Sequence, residues 1–407
     1  MMIIQRPELT EQIEDLDKWT MVYGRRKTGK TFLLREFIQT DEYFFVKRDR
    51  TIFSEKDNRM KNMTYDTFEE ILQRELANGK TLVVDEFHRL GDDFFDLLHS
   101  MRKDGRLILV SSTLSLSKKM IGKRSPLMGL FAEVPFPIIS LKNTSDTIKD
   151  IKDSKKELME LSMILREPIT IDYVDKRKSA RNILTDILMG SLKTIPALVG
   201  EIFREENRQL SSIYEGILRA ISAGKSGSGQ IADHMFSHNM ISKNDPSLVQ
   251  QYLVNMVEFG VLKKIKIFNK NRYKYTHSSA LTHLYYYADE HYNISERNPT
   301  RSEIQRIADD VIPHLIESTM REHLAQKHGL DQSVVEKPDY DIDVCLLRFK
   351  KPEIIGEVKW KDKVSRKDVN RAEEVLSRFD AEKRFLFVPD KSEVSSDRLD
   401  VIDVNDL

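Results

Sequence analysis

Short apolar runs and amphipathic helical patterns alternate along the first third of the chain. Five apolar runs of four to seven residues are predicted to form buried strands: 19–23, 43–46, 81–85, 106–112 and 133–138. Between them, residues 32–38 and 68–77 repeat apolar side chains every three or four positions, which predicts helices. Strands that alternate with helices are typical of an α/β domain with a mostly parallel sheet, which we assign to residues 1–142.

The strand signal ends near residue 143, and helical patterns replace it. Apolar residues recur at helical spacing in three further stretches: 155–165, 180–192 and 195–206. We interpret residues 143–208 as a helical lid that is appended to the α/β core.

Residues 209–292 show a helix, a turn, a second helix and then a hairpin-like run. The second helix is predicted over Asp245–Phe259, with Asp245 as N-cap and Pro246 in the first turn. Its apolar stripe is expected to face a core. The hairpin pattern follows over 261–276, so the order of elements predicts a winged helix.

Residues 300–407 carry a second alternation of helices and strands. Thr300 and Glu303 form a capping box that opens a helix running to Leu324, with a kink expected at Pro313. Two strands, a helix and a last strand are predicted after it: 341–349, 353–360, 365–379 and 385–389. This α-β-β-α-β order predicts a smaller α/β domain at the C-terminal end.

The amino-acid composition limits the classes of protein to which the chain can belong. The 65 basic and 65 acidic residues cancel, so the 407-residue chain has neither a polybasic coat nor an acidic tail. Its one cysteine, Cys345, excludes a disulfide within the chain and a multi-cysteine zinc site, and it indicates a reducing compartment. No segment reaches the roughly 18 apolar residues of a membrane span, and the N-terminus lacks a signal-peptide pattern. We therefore expect a cytoplasmic protein without a membrane partner.

The strongest chemical signal is a glycine-rich loop between the first strand and the first helix. Eight residues fit the pattern G-x-x-x-x-G-K-S/T: Gly24, Arg25, Arg26, Lys27, Thr28, Gly29, Lys30 and Thr31. Such a loop curls backbone N–H groups around phosphate oxygens at a helix N-terminus. Lys30 is expected to bridge the β- and γ-phosphates, and the Thr31 hydroxyl to bind Mg²⁺. The loop predicts binding of ATP with Mg²⁺, whereas the alternative is a chance Gly-Lys turn.

Acidic and hydroxyl residues follow the next two strands. Asp85 ends its strand and can hold the Mg²⁺ shell, while Glu86 can orient or deprotonate the attacking water. Ser112 reaches the carboxyl edge of the sheet, where it can sense the γ-phosphate or cap a helix. An acidic turn after a buried strand is the alternative for the two carboxylates. We expect Glu86, Lys30 and Ser112 to be catalytic.

The hairpin of the predicted winged helix is basic. Six cationic residues lie between Val261 and Tyr275: Lys263, Lys264, Lys266, Lys270, Arg272 and Lys274. Such a hairpin can lie along a phosphate backbone. The exposed face of the preceding helix offers no cation, only Gln250, Gln251, Asn255 and Glu258. Two interpretations stay open: the winged helix contacts DNA, or it serves packing and dimerisation.

The C-terminal strands carry the pattern D-x(n)-D/E-x-K. Asp343 lies in one strand, and the period of two places Glu357 and Lys359 on one face of the next strand. Two carboxylates can hold Mg²⁺ or Mn²⁺, and the ammonium can act on a water that attacks a phosphodiester. Glu317, on the preceding helix, can complete the metal shell. Cross-strand charge pairing is the alternative.

Histidine residues outside these motifs are expected to lie on the surface or to serve packing. His234, His238, His314, His323 and His328 show no paired metal spacing with a third ligand nearby.

The N-terminal motifs resemble an archaeal ATPase family of the AAA+/STAND type, also called DEXX-box ATPases. The segments that carry the resemblance are 6–9, 23–37, 83–87, 107–115 and 125–130. It implies binding of ATP and Mg²⁺, with Lys30, Thr31, Asp85 and Glu86 in the roles above and Ser112 at the sensor position. The family usually has arginine where this chain has Leu130. In consequence we expect either slow hydrolysis or an arginine that comes from elsewhere. The candidates for this arginine are Arg124, Arg26, a protein partner or a second copy in a homo-oligomer.

The C-terminal segment resembles the restriction-endonuclease-like domain that follows the winged helix in the same family. Segments 316–324, 340–344 and 354–360 carry this resemblance, which implies roles for Glu317, Asp343, Glu357 and Lys359 in a metal-dependent nuclease. The leading hypothesis is an ATPase that couples its nucleotide state to DNA binding or processing. The alternative is a nucleotide-regulated binding switch with slow hydrolysis and no nuclease activity; a small-molecule kinase leaves the C-terminal half unexplained.

Overall fold

The computed structural model describes residues 2–56, 59–114, 129–206 and 208–407. The chain forms two compact units. The first unit contains Gln5–Ile138 and Gly200–Gln209, and the second contains Met1–Ile4, Ile139–Val199 and Leu210–Leu407. The predicted α/β core thus lies in the first unit, whereas the predicted lid, winged helix and C-terminal domain lie mainly together in the second.

Seven strands form the sheet of the first unit. They are β1 Thr20–Tyr23, β2 Glu42–Val46, β3 Ile52–Lys56, β4 Arg59–Met63, β5 Thr81–Asp85, β6 Arg106–Ser111 and β7 Ala132–Pro135, in the spatial order β4-β3-β2-β5-β6-β1-β7. Strands β2, β5, β6, β1 and β7 pair in parallel, as the sequence predicts. Strands β3 and β4 add an antiparallel edge that we did not predict, because their polar residues mask the strand pattern.

Helices cover both faces of this sheet. They are α1 Pro7–Glu14, α2 Lys30–Phe37, α3 Tyr65–Ala77 and α4 Asp92–Ser100. Successive strand residues point to opposite faces, so Met21 packs in one apolar cluster with Phe68 of α3 and Phe94 of α4. Its neighbour Val22 packs in the other cluster with Leu34 of α2. The resulting three layers bring the carboxyl ends of the parallel strands to one edge of the sheet.

The remaining helices lie mostly in the second unit. They are α5 Leu141–Ile148, α6 Lys155–Ile164, α7 Ala180–Gly190, α8 Thr194–Glu205, α9 Ser212–Ser222, α10 Ser228–Ser237, α11 Ser247–Glu258, α12 Ala280–Tyr292, α13 Arg301–His328 and α14 Arg366–Leu376. The C-terminal half of α8 belongs to the first unit. In the part of the chain that the structure describes, no single helix has the length and apolarity to cross a membrane; α7 and α8 pass that test only as a pair bent by 62°.

The predicted order of helix, turn, helix and hairpin is present in the second unit. Helices α10 and α11 are followed by β8 Leu262–Ile267 and β9 Tyr273–His277, which pair antiparallel. Helix α11 begins at Ser247 with Pro246 at the N-cap, one residue after the predicted cap, and the Asp245 carboxylate accepts the backbone N–H of Ser247 at 2.9 Å. The identification of this arrangement as a winged helix remains a prediction.

A second seven-stranded sheet joins the hairpin to the C-terminal strands. The further strands are β10 Asp331–Glu336, β11 Asp341–Arg348, β12 Lys351–Val358, β13 Lys383–Phe387 and β14 Asp400–Ile402, and the order is β14-β13-β12-β11-β10-β8-β9. Strands β10 and β14 were not predicted. Strand β8 pairs in parallel with β10, where Val334 packs against Ile265 and Ile267. This shared sheet is the reason why the hairpin and the C-terminal strands form one unit rather than separate ones.

Helix α13 lies against this second sheet and is longer than predicted. It runs through Pro313 and past Leu324 to His328. The helix ends at His328 because Gly329, at its C-terminal cap, takes a left-handed conformation with φ 62°. The helix therefore carries Glu317 beside the strands β11 and β12.

Candidate functional site

The glycine-rich loop connects β1 to α2 in a conformation that its glycines permit. Gly29 is left-handed with φ 93° and caps the N-terminus of α2, and Lys27 is also left-handed with φ 61°. A Cβ atom on Gly24 would lie only 2.2 Å from the carbonyl oxygen of Phe136. The loop therefore requires glycine at both positions, one for backbone conformation and one for close approach.

Lys30 is buried at the start of α2. Its Nζ donates to the carbonyl oxygens of Gly24 at 2.7 Å and Arg25 at 2.9 Å. Burial lowers the pKa of Lys30 to about 8, although the carboxylates of Glu86 and Asp85 oppose the shift. The ammonium is thus held inside the curl of the loop, where acceptors such as phosphate oxygens can compete for it.

Asp85, Thr31 and Tyr43 form a hydrogen-bonded group at the carboxyl edge of the sheet. The Thr31 hydroxyl donates to Asp85 Oδ2 at 2.7 Å, and the Tyr43 hydroxyl donates to the same oxygen at 2.6 Å. Burial and the Asp85 charge raise the pKa of Tyr43, so its hydroxyl stays a donor. Hydroxyl and carboxylate oxygens are the ligands that Mg²⁺ prefers, so this pair fits the ion predicted here. No pattern in the sequence marks Tyr43 as a member of this group.

Glu86 follows Asp85 in a left-handed conformation with φ 59°. Its Oε2 accepts from Ser112 Oγ at 3.0 Å and lies 3.2 Å from Arg89 Nη2 and 3.4 Å from His88 Nε2. Burial raises the pKa of Glu86, although the Arg89 charge opposes the shift. Burial also lowers the pKa of His88 to about 4. Glu86 and Ser112, predicted separately as base and sensor, are therefore in direct contact.

A carboxylate from α8 joins the same group, which the sequence did not predict. Ser112 Oγ donates to Glu205 Oε2 at 2.7 Å, and Arg26 forms an ion pair with Glu205. Arg26 Nε also lies 3.1 Å from Glu201, and Arg89 lies 3.6 Å from Glu205. Arg89 thus contacts Glu86 directly, while Arg26 pairs with Glu205, which shares the Ser112 hydroxyl with Glu86. The candidate Arg124 lies outside the described residues, and Leu130 packs on the apolar core.

Arg6 connects the loop to the segment after β7. Its guanidinium donates to the carbonyl oxygens of Thr28 at 3.1 Å, Pro137 at 2.7 Å and Ile138 at 3.2 Å. The same group lies 4.2 Å from the ring centroid of Phe136. Arg6 therefore ties the loop at Thr28 to the segment that follows β7.

A second group of charged residues lies in the second unit. Asp343 on β11, Glu357 on β12 and Lys359 just after β12 are brought together with Glu317 of α13. Asp343 Oδ2 accepts the backbone N–H of Val358 at 2.9 Å, and Lys359 Nζ donates to Glu357 Oε2 at 2.6 Å. The lysine therefore pairs with Glu357 on its own strand, as the period of two predicts, and not with Asp343 through a hydrogen bond.

Electrostatic repulsion shapes this acidic site. Burial and the charges of Glu317 and Glu357 raise the pKa of Asp343 well above its usual range. Burial likewise raises the pKa of Glu357, against the effect of Lys359. Glu357 raises the pKa of Lys359, although burial opposes it. Carboxylates that repel one another in a buried place are the donor set that a divalent cation would neutralise, so these residues fit Mg²⁺ or Mn²⁺.

The basic hairpin is partly neutralised. Lys263 lies 2.8 Å from Glu322, and Lys274 lies 2.6 Å from Glu336. The exposed cations are Lys264, Lys266, Lys270 and Arg272. On α11, Asn255 is half-buried and donates to the Tyr214 hydroxyl at 2.8 Å, so it does not belong to the exposed face that we predicted. The surface available to phosphates is thus smaller than the sequence suggested.

The prediction that no third ligand lies near the paired histidines is wrong. His234 and His238 lie close to Glu290 of α12, which is distant in sequence but adjacent in the fold. Sequence spacing alone could not show this contact.

One family model matches part of the chain, mainly within the first unit. Residues 16–144 match a family model described as an AAA domain. A search of curated proteins gave no match. The fold is similar to the Walker-type ATPase of Pyrococcus abyssi at 18% identity and a TM-score of 0.52, covering 70% of this chain and 96% of that one.

Two other archaeal structures are less similar. The ORC2 protein of Aeropyrum pernix, in ADPNP and ADP complexes, gives 12% identity and a TM-score of 0.38, covering 77% of this chain and 93% of that one. A STAND protein with a tetratricopeptide-repeat sensor from Pyrococcus horikoshii gives 12% identity and a TM-score of 0.33, with coverages of 79% and 51%. By the family-model match, residues 16–144 are similar to an AAA domain, and they lie mainly in the α/β unit of the chain.

Proposed function

We propose that the first unit binds ATP with Mg²⁺ and hydrolyses it, and that the second unit couples the nucleotide state to DNA. One observation carries the proposal: the loop lysine, the Thr31–Asp85 pair and Glu86 lie together at the carboxyl edge of an AAA-type sheet. In open α/β sheets this edge is where ligands bind.

Each residue of the loop and the following strands has a defined task in this proposal. Lys30 exchanges the carbonyl oxygens of Gly24 and Arg25 for phosphate oxygens. Thr31 and Asp85 are the residues that would hold Mg²⁺, which supplies charge neutralisation for phosphoryl transfer. The left-handed turn at Glu86 keeps this side chain within reach of Ser112, and its raised pKa suits a group that accepts a proton from water.

The first unit also contains cations that can compensate for the missing family arginine. Arg89 pairs with Glu86, and Arg26 pairs with Glu205. Either can stabilise charge on a transferring phosphoryl group, and this task could also fall to an arginine of a second copy or of a partner. A turnover number that rises with protein concentration would indicate an arginine supplied by a second copy of the chain. A turnover number that does not depend on concentration would favour Arg26 or Arg89 of the same chain.

The DNA-directed part of the proposal rests on the second unit. Helices α10 and α11 with the β8–β9 hairpin have the element order of a winged helix, and four exposed cations line the hairpin: Lys264, Lys266, Lys270 and Arg272. The acidic site lies on the sheet that contains this hairpin. We propose that Asp343, Glu357 and Glu317 hold a divalent cation there and that Lys359 acts on water during phosphodiester cleavage.

A nucleotide-regulated switch with slow hydrolysis is the second candidate function. The observation in its favour is that Glu86 is already engaged by Arg89, His88 and Ser112. All three groups contact Glu86 Oε2, so an attacking water could reach that oxygen only if these groups rearrange. The buried thiol of Cys345 accords with a reducing, cytoplasmic location for either function.

Two assays on one set of variants test the proposal. ATP hydrolysis and plasmid nicking are measured with Mg²⁺ or Mn²⁺, with and without duplex DNA. The hydrolytic function predicts that Glu86→Gln abolishes phosphate release, and the nuclease function predicts that Asp343→Ala abolishes nicking while phosphate release continues. Binding of ATP without phosphate release would favour the switch. An absence of ATP binding by the wild type would contradict both.

A further inference from the structure

Two histidines and a glutamate meet between α10 and α12 of the second unit. His234 lies in α10, His238 caps its C-terminal end, and Glu290 lies in α12. His234 Nε2 is 3.3 Å from Glu290 Oε1, and His238 Nε2 is 4.0 Å from the same oxygen. One ligand atom from each of the three residues lies within 4.8 Å of the other two. In the described residues, these three form the one group of His, Cys, Asp and Glu with this geometry.

We propose that His234, His238 and Glu290 bind a divalent transition-metal ion, with Zn²⁺ as the ion that suits them best. Two imidazoles and one carboxylate form a common three-residue ligand set for Zn²⁺, which binds nitrogen at roughly 2.0–2.1 Å and carboxylate oxygen at roughly 2.0–2.2 Å. Histidines four residues apart on a helix face the same side. The fourth position remains for water or for a ligand from a partner.

The orientation of His238 supports metal binding. Its Nδ1 lies 2.8 Å from the carbonyl oxygen of His234, which accepts a hydrogen bond from it. Because Nδ1 then carries the proton, the lone pair is on Nε2, the atom that is directed to Glu290. Metal-binding histidines usually have this arrangement, in which a backbone carbonyl fixes the tautomer.

Solvent access differs among the three side chains in a way that suits a bound ion. His234 and Glu290 are mostly buried, with side-chain exposures of 11% and 17%, while His238 is 51% exposed. The buried pair supplies preformed ligands, and the exposed imidazole leaves a path for the ion to enter. A metal ion here would tie α10, the first helix of the proposed DNA-binding element, to α12.

The competing explanation is an ion pair without metal. A protonated His234 or His238 can pair with Glu290, and this pair also stabilises the contact between the helices. The imidazole rings lie only 4.2 Å apart by their centroids, so protonating both would bring two like charges together. A bound ion satisfies both imidazoles in their neutral form.

The test uses Zn²⁺ and Co²⁺ on the full-length protein without nucleotide. An Asp343→Ala background removes the carboxylate site of the second sheet as a competing metal site. After treatment with a chelator, Zn²⁺ binding is measured by isothermal titration, and Co²⁺ binding by its visible absorption. The parent is expected to bind one equivalent and to show a rise in melting temperature with Zn²⁺.

Variants in the three ligands identify the site. His238→Ala and Glu290→Gln are each expected to weaken Zn²⁺ binding by more than tenfold, since even an outer-shell partner of a metal is worth roughly 10–100-fold. His291→Ala removes an exposed histidine that is next to Glu290 and is expected to bind Zn²⁺ as the parent does. Glu290→Gln preserves the shape of the side chain, which guards against a loss caused by misfolding.

Two results would overturn the proposal. One is Zn²⁺ binding of equal strength in the parent, His238→Ala and Glu290→Gln. The other is a melting temperature that falls in these variants but never responds to Zn²⁺ in the parent, as the ion pair alone predicts. Neither readout involves ATP or DNA, so the outcome is independent of the proposed function.

Discussion

The nucleotide site and the acidic site both place carboxylates at strand ends, but they neutralise them differently. At the first, Asp85 accepts from Thr31 and Tyr43, and Glu86 is met by Ser112 and Arg89. At the second, Lys359 pairs with Glu357 and the buried Arg321 donates to the Asp343 carbonyl oxygen at 2.6 Å, yet the pKa of Asp343 is still raised by burial and by its acidic neighbours. The carboxylates of the first site are therefore already paired with donors and cations of the chain, and ATP would bind there together with Mg²⁺. The second retains a buried carboxyl group whose pKa is raised despite the cations beside it, so a divalent cation would stabilise its charged form.

Among the substitutions that test this comparison, Lys30→Ala is expected to have the largest effect, on the affinity for ATP. The variant should lose tight ATP binding, since Lys30 is the buried cation inside the phosphate loop. Isothermal titration with ATP and Mg²⁺ measures the loss, and Lys18→Ala, which removes an exposed lysine before β1, serves as the matched control. Undiminished ATP affinity in Lys30→Ala would remove the nucleotide site from the proposal.

Glu86→Gln separates binding from turnover at the same site. The amide keeps the shape of the side chain but cannot accept a proton, so phosphate release should fall by roughly 10²–10⁴-fold. ATP affinity should remain close to that of the wild type, because Thr31 and Asp85 are unchanged. Equal loss of affinity in Glu86→Gln and Lys30→Ala would show that Glu86 acts in binding and not in turnover.

Asp343→Asn tests the charge imbalance of the acidic site. The pKa of Asp343 is higher in the folded chain than in the unfolded chain, so the folded state loses stability as the pH rises from about 4 through the raised pKa. Asparagine removes this penalty and can still accept the Val358 N–H. Without divalent cations, the variant should gain stability over the wild type at pH 8, on the order of 1–3 kcal/mol, and little at pH 4.

Thermal melting at the two pH values, with and without Mn²⁺, measures this effect. Mn²⁺ should raise the melting temperature of the wild type at pH 8 and leave Asp343→Asn unchanged. Asp339→Asn, an exposed residue before β11, is the control and should follow the wild type. If the melting temperature of the wild type changes with neither pH nor Mn²⁺, Lys359 already neutralises the carboxylates of this site.

The two sites also differ in how far the sequence could predict them. Lys30, Thr31, Asp85 and Glu86 are fixed by local patterns, a loop between strand and helix and the end of an apolar strand, so their contacts follow from the fold class. Tyr43 and Glu205 reach the same site from β2 and α8, and no short-range pattern marks them. Residue spacing in the sequence cannot predict side chains that reach a site from elements distant along the chain.

The same limit explains which contacts of the second unit the sequence could not predict. Strand β10 is short and polar at its ends, and only its pairing with β8 and β11 makes it a strand. No local pattern predicts that pairing, so the sequence analysis places the hairpin and the C-terminal strands in different domains, whereas their strands share one sheet. Glu290 was likewise overlooked as a neighbour of His234 and His238, since long-range packing alone brings α12 to α10.

The smallest expected effect concerns the charge of the hairpin, and two charge-matched double variants measure it. Lys264 and Lys266 are exposed, whereas Lys263 and Lys274 already pair with Glu322 and Glu336. Changing the exposed pair to alanine should weaken duplex DNA binding and make the slope of log affinity against log salt shallower by about 1.8, since each phosphate contact contributes roughly 0.9.

Changing the paired lysines to alanine alters the net charge of the protein by the same amount. Their charges are balanced by Glu322 and Glu336, so they should contribute little to phosphate contacts and leave the salt slope unchanged. Arg166, 3.0 Å from Glu322, would still neutralise that carboxylate. If both double variants change the slope equally, DNA senses only the total charge of the chain. If neither does, the hairpin packs within the second sheet and the DNA-directed part of the proposal fails, while the nucleotide site stands.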